Sequence, residues 1–163
     1  MKRKPASIPK GYHTITPYFS VRKADRLILF LKKAFGGKEV NVMLTPDGAV
    51  LSAEVHIGDS IVFVGEEHSA QPVGKGMRGM FYMYARDVDA VYKKAIQAGG
   101  KSIEKPNDQF WGDRSGVVED VAGNRWWIAT HQKSVSFEDI IASATRGPGK
   151  TRPRKSARKT APR

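Results

Sequence analysis

Cysteine is absent from the sequence, and long apolar runs are absent as well. Without cysteine there are no disulfide bridges, no thiolate metal ligands and no cysteine nucleophile. No apolar stretch approaches the ~20 residues of a membrane span. The basic N-terminus is not followed by the apolar segment of a secretory signal. We therefore expect a cytoplasmic protein that does not contact a membrane.

Acidic residues are missing from both ends of the chain. Residues 1–10 carry four basic side chains and residues 146–163 carry eight, whereas the rest of the chain carries 16 basic and 16 acidic side chains. The net charge of +12 therefore belongs to the ends, which argues against a basic-faced nucleic-acid-binding domain. We predict a flexible N-terminus over 1–10 and a disordered tail over 146–163. The tail is interpreted either as a weak, non-specific contact for nucleic acid or as a solubilising extension.

The sequence between the ends predicts the order β-α-β-β-β twice. An apolar stripe at helical spacing over Ala24–Phe35 is followed by Gly36-Gly37, and a second helix over Asp89–Ala98 is followed by Gly99-Gly100. We predict an α+β domain over 11–145, with modules at about 11–66 and 79–131 and a short C-terminal helix. The two modules should form a curved eight-stranded mixed sheet around a cavity, with the helices outside.

Polar side chains alternate with apolar ones on the predicted third strand. Glu54 and His56 share one face with Ser52, and an offset of 65 residues maps Glu54 onto Glu119. We therefore name Glu54, His56 and Glu119 as catalytic candidates, able to exchange a proton or to bind a metal ion. The alternative interpretation places these side chains on the solvated rim of the sheet.

Aromatic side chains are expected to line the cavity, because adjacent residues of a strand face opposite ways. Such a lining suits a planar or hydrophobic small molecule, although the same rings could simply fill the space. In the segment 109–116, Trp111 could stack on a planar ligand and Arg114 could hold an anionic group of it. Alternatively, an Asp113–Arg114 pair fastens a loop there. The predicted ligand contacts are Tyr18, Phe81, Met83, Trp111, Arg114, Trp127 and His131.

Three segments resemble one known superfamily. They are GYHTITPYFSVRKADRLILFLKKAFGG at 11–37, AEVHIGDSIVFVGEE at 53–67 and QFWGDRSGVVEDVAGNRWWIATH at 109–131. The chain resembles the vicinal oxygen chelate superfamily of glyoxalases, bleomycin resistance proteins and dioxygenases, and within it the PhnB-type group. The last segment departs from the family's usual D-P-x-G turn, because Asp120-Val121-Ala122-Gly123 lacks the proline.

The resemblance implies a metal site in those relatives that use one, with His, Glu or Gln ligands from four strands. By strand register the four positions fall here at Thr16, Val62 or its neighbour Phe63, Phe81 and Trp127. These side chains are poor ligands for a divalent metal, so the prediction is no metal and no cofactor.

The resulting hypothesis is a metal-independent protein that binds a small molecule in an aromatic-lined cavity. Two alternatives remain: a glyoxalase-like lyase or dioxygenase with an atypical metal site around His56, and an interaction module that acts through the basic tail. We also expect a homodimer, because the edge strands of each module need to be covered.

Overall fold

The structure is a computed structural model that describes residues 7–67 and 78–145. The predictions for residues 1–6 and for the tail at 146–163 lie outside the described residues. The described elements are β1 (Tyr18–Val21), α1 (Ala24–Phe35), β2 (Lys38–Leu44), β3 (Val50–Ile57), β4 (Ser60–Glu66), β5 (Met80–Tyr84), α2 (Val88–Gln97), β6 (Lys101–Asp108), β7 (Asp113–Glu119), β8 (Arg125–His131) and α3 (Phe137–Ala144).

The eight strands form two four-stranded sheets with the same topology. Sheet A has the order β1-β4-β3-β2 and sheet B the order β5-β8-β7-β6. In sheet A, β1 runs parallel to its neighbour β4, and in sheet B, β5 runs parallel to its neighbour β8. All other neighbouring strands are antiparallel. The α+β fold of two βαβββ modules is therefore confirmed. Among the described residues no strand of sheet A pairs with one of sheet B, so two sheets replace the single continuous sheet expected from the sequence.

Aromatic packing joins the two modules on the helical side of the sheets. The Trp126 ring lies 5.9 Å from Phe19, 4.8 Å from Phe35 and 4.9 Å from Phe81, measured between centroids. Helix α1 packs against α2 over the same region. Burial of these large rings removes much apolar surface from water, which is the main favourable contribution to folding.

Phe81 and Met83 both pack against this core, so the prediction that they face the cavity is wrong. The opposite face of β5 carries Tyr82 and Tyr84 instead. The segment Met80–Tyr84 contains only apolar and aromatic residues, so polar alternation does not reveal its register.

Helix α1 is held by an acid from a distant strand. Its first turn leaves free N–H groups, and the Glu66 carboxylate accepts hydrogen bonds from the backbone N–H of Lys23 (2.8 Å) and of Ala24 (2.9 Å). The helix ends at Gly36, whose φ of 67° is the left-handed conformation that glycine adopts most readily. The contact from Glu66 ties the helix to the end of β4.

Of the helices that the structure describes, none combines the length and the apolar character needed to cross a bilayer.

Candidate functional site

Four aromatic side chains lie together on the face of sheet B that points away from the helices. The Tyr82 ring stacks at 6.0 Å on Trp127 and lies 5.3 Å from Tyr84, and Trp111 meets Trp127 edge to face at 6.5 Å. Tyr82 is 46% exposed and Tyr84 is 65% exposed. We call Trp111, Tyr82, Tyr84 and Trp127 the aromatic face. Trp111 and Trp127 were both predicted to contact a ligand, whereas the two tyrosines were not.

A buried carboxylate lies at the edge of the aromatic face. Asp113, which is 3% exposed, begins β7. Its Oδ2 accepts hydrogen bonds from the hydroxyls of Tyr82 (2.7 Å) and Tyr84 (3.2 Å). Its Oδ1 lies 2.8 Å from Nδ1 of His131, at the end of β8. One carboxylate therefore fixes two rings of the aromatic face and one imidazole.

The protonation states of this cluster follow from its hydrogen bonds. Burial alone would raise the pKa of the Asp113 carboxyl, but the hydrogen bonds from His131, Tyr82 and Tyr84 outweigh burial and lower the pKa. Burial and the neighbouring Asp113 raise the pKa of Tyr82 to about 12, and the same two causes raise the pKa of Tyr84. At neutral pH the acid is ionised and both phenols keep their protons.

The local backbone explains why Asp113 and His131 meet. They are directly paired in the antiparallel ladder of β7 and β8. Gly112, with a φ of 101°, precedes Asp113, and its carbonyl accepts hydrogen bonds from the N–H groups of Gln132 and Lys133. A Cβ on Gly112 would come within 2.0 Å of the Lys133 carbonyl oxygen, so only glycine fits this crossing.

Arg114 lies on the other side of the same strand. Its guanidinium forms two bonds to Asp89 of α2, at 2.8 and 2.9 Å, and one to Asp108 at 3.1 Å. The prediction that Arg114 holds an anionic ligand beside Trp111 is therefore wrong, because the guanidinium lies on the helical face of the sheet. The alternative Asp113–Arg114 pair is also absent, because each of these residues binds other partners on opposite faces of the sheet.

Sheet A carries a smaller cluster around Glu54, which is also buried. Its carboxylate accepts a hydrogen bond from Asn41 Nδ2 (2.7 Å) and lies 2.8 Å from His56 Nε2. These two contacts, with a further one from Tyr12, lower the pKa of Glu54 against the effect of burial. The alternation predicted for β3 is confirmed, since Ala53 and Val55 are fully buried on the helical side.

Aromatic side chains also occupy this face of sheet A. The Tyr12 ring stacks over Phe63 at 6.0 Å, and Tyr18 approaches Phe63 at 6.2 Å. Tyr18 lies on the face away from the helices, as predicted, because Phe19 next to it is in the core. Tyr12, from the segment before β1, covers Phe63, which takes the place on sheet A that Trp127 takes on sheet B.

Glu119 does not join Glu54 and His56, contrary to the convergence that a displaced metal site would need. It lies 3.8 Å from Arg78 and 3.9 Å from Arg125, at the hairpin end of β7. Glu54 pairs with Phe63 across its ladder, and the residue in the corresponding place on β7 is Val117, which pairs with Trp127. Over residues 7–67 and 78–145, no three His, Cys, Asp or Glu side chains are grouped to hold a metal ion.

The positions that carry metal ligands in the resembling family do not fit a metal ion here. Val62 is in the core, so Phe63 is the residue of β4 that faces away from the helices, and Tyr82 takes the place expected for Phe81. The resulting set is Thr16, Phe63, Tyr82 and Trp127. It contains no carboxylate or imidazole, and the Tyr82 hydroxyl is protonated and bonded to Asp113.

The Asp120 turn has a structural role. The Asp120 carboxylate accepts hydrogen bonds from the N–H groups of Ala122 and Asn124, each at 2.9 Å, and from Trp126 Nε1, also at 2.9 Å. It therefore closes the turn between β7 and β8 and anchors the central ring of the core. The aspartate of the Asp120-Val121-Ala122-Gly123 turn is therefore explained by its structural role, and no ligand is needed to explain it.

Comparisons with known proteins agree with the observed topology. The profile of the Glyoxalase/Bleomycin resistance protein/Dioxygenase superfamily matches residues 13–128. The uncharacterized protein Rv0887c of Mycobacterium tuberculosis is 29% identical over 137 residues, which cover 79% of this chain and 81% of that protein.

Solved structures share the fold at low sequence identity. TioX from Micromonospora sp. ML1 matches with a TM-score of 0.62 and 21% identity, over 73% of this chain and 98% of that one. The fosfomycin resistance protein FosX from Mesorhizobium loti matches with a TM-score of 0.56 and 14% identity, over 79% of this chain and 97% of that one. The chain belongs to the glyoxalase/bleomycin resistance protein/dioxygenase superfamily.

Proposed function

We propose that this protein binds a planar aromatic small molecule on the aromatic face of sheet B and that it does so without a metal ion. The observation that carries the proposal is the exposure of Tyr82 and Tyr84 beside two tryptophans, on a sheet face that none of the described helices covers. Clustered rings exposed to water are costly for a soluble domain and are typical of binding sites. A planar ligand would stack on these rings and remove them from water.

The hydrogen bonds beneath the rings support recognition of a specific ligand. Asp113 fixes the hydroxyls of Tyr82 and Tyr84, and Ser115 Oγ accepts a 2.9 Å hydrogen bond from Trp127 Nε1. Rings held in this way lose little conformational entropy when a ligand stacks on them. Sheet A offers a weaker platform, since Tyr12 already covers Phe63.

Metal independence is proposed from the donors that the chain presents. Thr16, Phe63, Tyr82 and Trp127 cannot bind a divalent ion, and the Glu54–His56 pair has no third acidic or imidazole partner within the described part of the chain. The alternative of an enzyme with a metal around His56 therefore loses its structural support. Small-molecule binding needs no such centre.

The proposal is tested by titrating the protein with 7-hydroxycoumarin, a planar bicyclic probe, in an isothermal titration calorimeter. We expect saturable binding that Trp111→Leu and Trp127→Leu each weaken about fivefold, since a lost ring contact is worth about 1 kcal/mol. Phe137→Leu is the matched control, because it also removes an exposed aromatic ring, but from α3 and outside the aromatic face. Phe137 is 75% exposed. Equal effects of all three substitutions, or no binding to the wild type, would refute the proposal.

We also propose that two copies associate through β2 of sheet A. All seven residues of this edge strand are exposed, and Val40, Met43 and Leu44 are each more than half exposed. An exposed apolar edge favours pairing with another strand, and a second copy presents the same edge in a self-complementary way.

A further inference from the structure

Asp113 and His131 form an oriented pair beside the aromatic face. Because an ionised carboxylate only accepts hydrogen bonds, the 2.8 Å contact assigns the proton of the neutral imidazole to Nδ1. The other ring nitrogen, Nε2, then carries the lone pair that can accept a hydrogen bond or a proton. A buried acid that holds an imidazole in one tautomer in this way favours proton transfer at the outer nitrogen.

The outer nitrogen of His131 is available to a ligand. The His131 side chain is 54% exposed. Within residues 7–67 and 78–145, its Nε2 has a hydrogen-bonding contact only with the Ser134 hydroxyl, at 3.4 Å, which is longer than a well-formed hydrogen bond between these atoms. An incoming hydroxyl can displace this contact at little cost.

The position of the pair connects it to the proposed binding site. Tyr82 and Tyr84 donate to one oxygen of Asp113, and His131 binds the other oxygen of the same carboxylate. A ligand stacked over the two exposed tyrosine rings would therefore lie on the same face of the sheet as His131, beyond the hydroxyl ends of the rings. The rings bind the flat face of the ligand, and the imidazole contacts a polar group on its rim.

We propose that the ligand of this site is an aromatic compound with an acidic hydroxyl, a phenol or an enol, and that His131 takes the proton of that hydroxyl. This inference rests on the proposed function. In the step, the ligand O–H bond breaks, Nε2 of His131 gains the proton, and the ligand becomes a phenolate or enolate. No oxidant or co-reactant is needed, because the proton is the only group transferred.

The charges of the cluster stabilise the product of this step. The protonated imidazole lies between the Asp113 carboxylate on its Nδ1 side and the ligand anion on its Nε2 side. Both hydrogen bonds are then assisted by charge, which makes them about twice as strong as neutral ones. Because Asp113 is ionised at neutral pH, the negative charge on the Nδ1 side of the imidazole is in place before the ligand arrives.

The experiment compares 7-hydroxycoumarin with its methyl ether, 7-methoxycoumarin, which has no acidic hydrogen. Calorimetry measures the affinity of both probes, and absorbance measures the anion of the bound hydroxycoumarin at a pH where the free probe is mostly neutral. We expect the hydroxyl compound to bind about tenfold more tightly than the ether and to be enriched in its anion when bound.

Variants separate this inference from the proposed function. His131→Gln should abolish both the preference for the hydroxyl compound and the anion signal, so that the variant binds the two coumarins with similar affinity. His56→Ala is the matched control, since it removes the imidazole of the corresponding carboxylate pair in sheet A. Ser134→Ala removes only the weak competing contact, and it should keep or increase the preference.

Each outcome bears on a defined claim. If both coumarins bind equally well to the wild type, or if His131→Gln retains the anion signal, the acidic-hydroxyl inference is wrong and the aromatic site stands. If neither coumarin binds, the proposed function and the inference fail together. If Ser134→Ala, which leaves the Asp113 network intact, loses the preference, the serine rather than the imidazole recognises the hydroxyl and the inference is overturned.

Discussion

Replacing Asp113 by asparagine keeps the shape of the side chain but removes the charge that holds the site together. The carboxylate accepts from Tyr82 at 2.7 Å, Tyr84 at 3.2 Å and His131 at 2.8 Å. The amide of asparagine is uncharged and presents N–H groups on one side, so at least one of these partners must give up donating and accept instead, and the others lose a charge-assisted hydrogen bond. The substitution should therefore weaken the cluster without opening a cavity.

The expected cost follows from which donors can turn to water. A hydrogen bond to a charged group is worth about 1.5–3 kcal/mol, and the value falls when the lost partner can be solvated. Tyr84 and His131 are exposed and can bond to water, whereas Tyr82 is partly covered by Trp127. We therefore expect Asp113→Asn to lower the free energy of unfolding by about 2 kcal/mol, or the melting temperature by roughly 5–8 °C.

The pH dependence gives this prediction a second, independent readout. The folded pKa of Asp113 lies below its ordinary value of 3.8, so its charge stabilises the fold at pH values above the unfolded pKa. That contribution is lost as the pH falls through the folded pKa. The difference in unfolding free energy between wild type and Asp113→Asn should therefore be full at pH 7 and shrink as the pH approaches 3.

Urea denaturation followed by tryptophan fluorescence measures the free energy of unfolding at pH 7 and at lower pH. The signal reports on both regions, because Trp126 lies in the core and Trp127 in the site. The reasoning is refuted if the variant is as stable as the wild type at pH 7. It is also refuted if a deficit at pH 7 persists unchanged at low pH, since the deficit would then not come from the charge.

Three further predictions concern the surface of the molecule. Arg114→Ala should lower the melting temperature by releasing α2 from β7 but should leave coumarin binding unchanged, because the guanidinium binds Asp89 on the helical side; an affinity loss would place it in the site after all. Met43→Glu should convert a dimer into a monomer in multi-angle light scattering, and a wild-type monomer at micromolar concentration would disprove the association. Deletion of residues 146–163 should abolish retention on DNA at low salt with the melting temperature nearly unchanged, and a truncated protein that is still retained would contradict the charge argument.

The sequence predicts most of the fold because its local signals are strong. The bounds of α1 agree with the prediction residue for residue, and the predicted short C-terminal helix is present as α3. Amphipathic stripes, caps and glycine stops each act over a few residues, so these elements can be identified without tertiary information.

The site is less predictable because it depends on register and on pairing across strands. On β3, alternation of polar and apolar residues places Glu54 correctly. On β5, the run MFYMY lacks this signal, so Phe81 was assigned to the face that Tyr82 occupies. Asp113 was missed because the contact with His131 arises from the β7–β8 ladder, whose start lay inside a predicted loop.

Glu119 was matched to Glu54 incorrectly because the corresponding hairpins of the two modules differ in length. The turn between β3 and β4 has two residues, Gly58-Asp59, whereas five residues separate Glu119 from Arg125. An alignment that matches the turn glycines therefore shifts the strand before the turn by two residues. Glu119 then appears to match Glu54, although Val117 occupies the corresponding place in the ladder.

The most direct test of the central claim is a titration of chelator-treated, metal-free protein with 7-hydroxycoumarin, repeated after addition of one equivalent of Zn²⁺ or Ni²⁺. Because the aromatic face, Asp113 and His131 supply the whole proposed site, the account predicts the same saturable binding in all three samples. Binding that is absent from the metal-free protein and restored by the metal would contradict it.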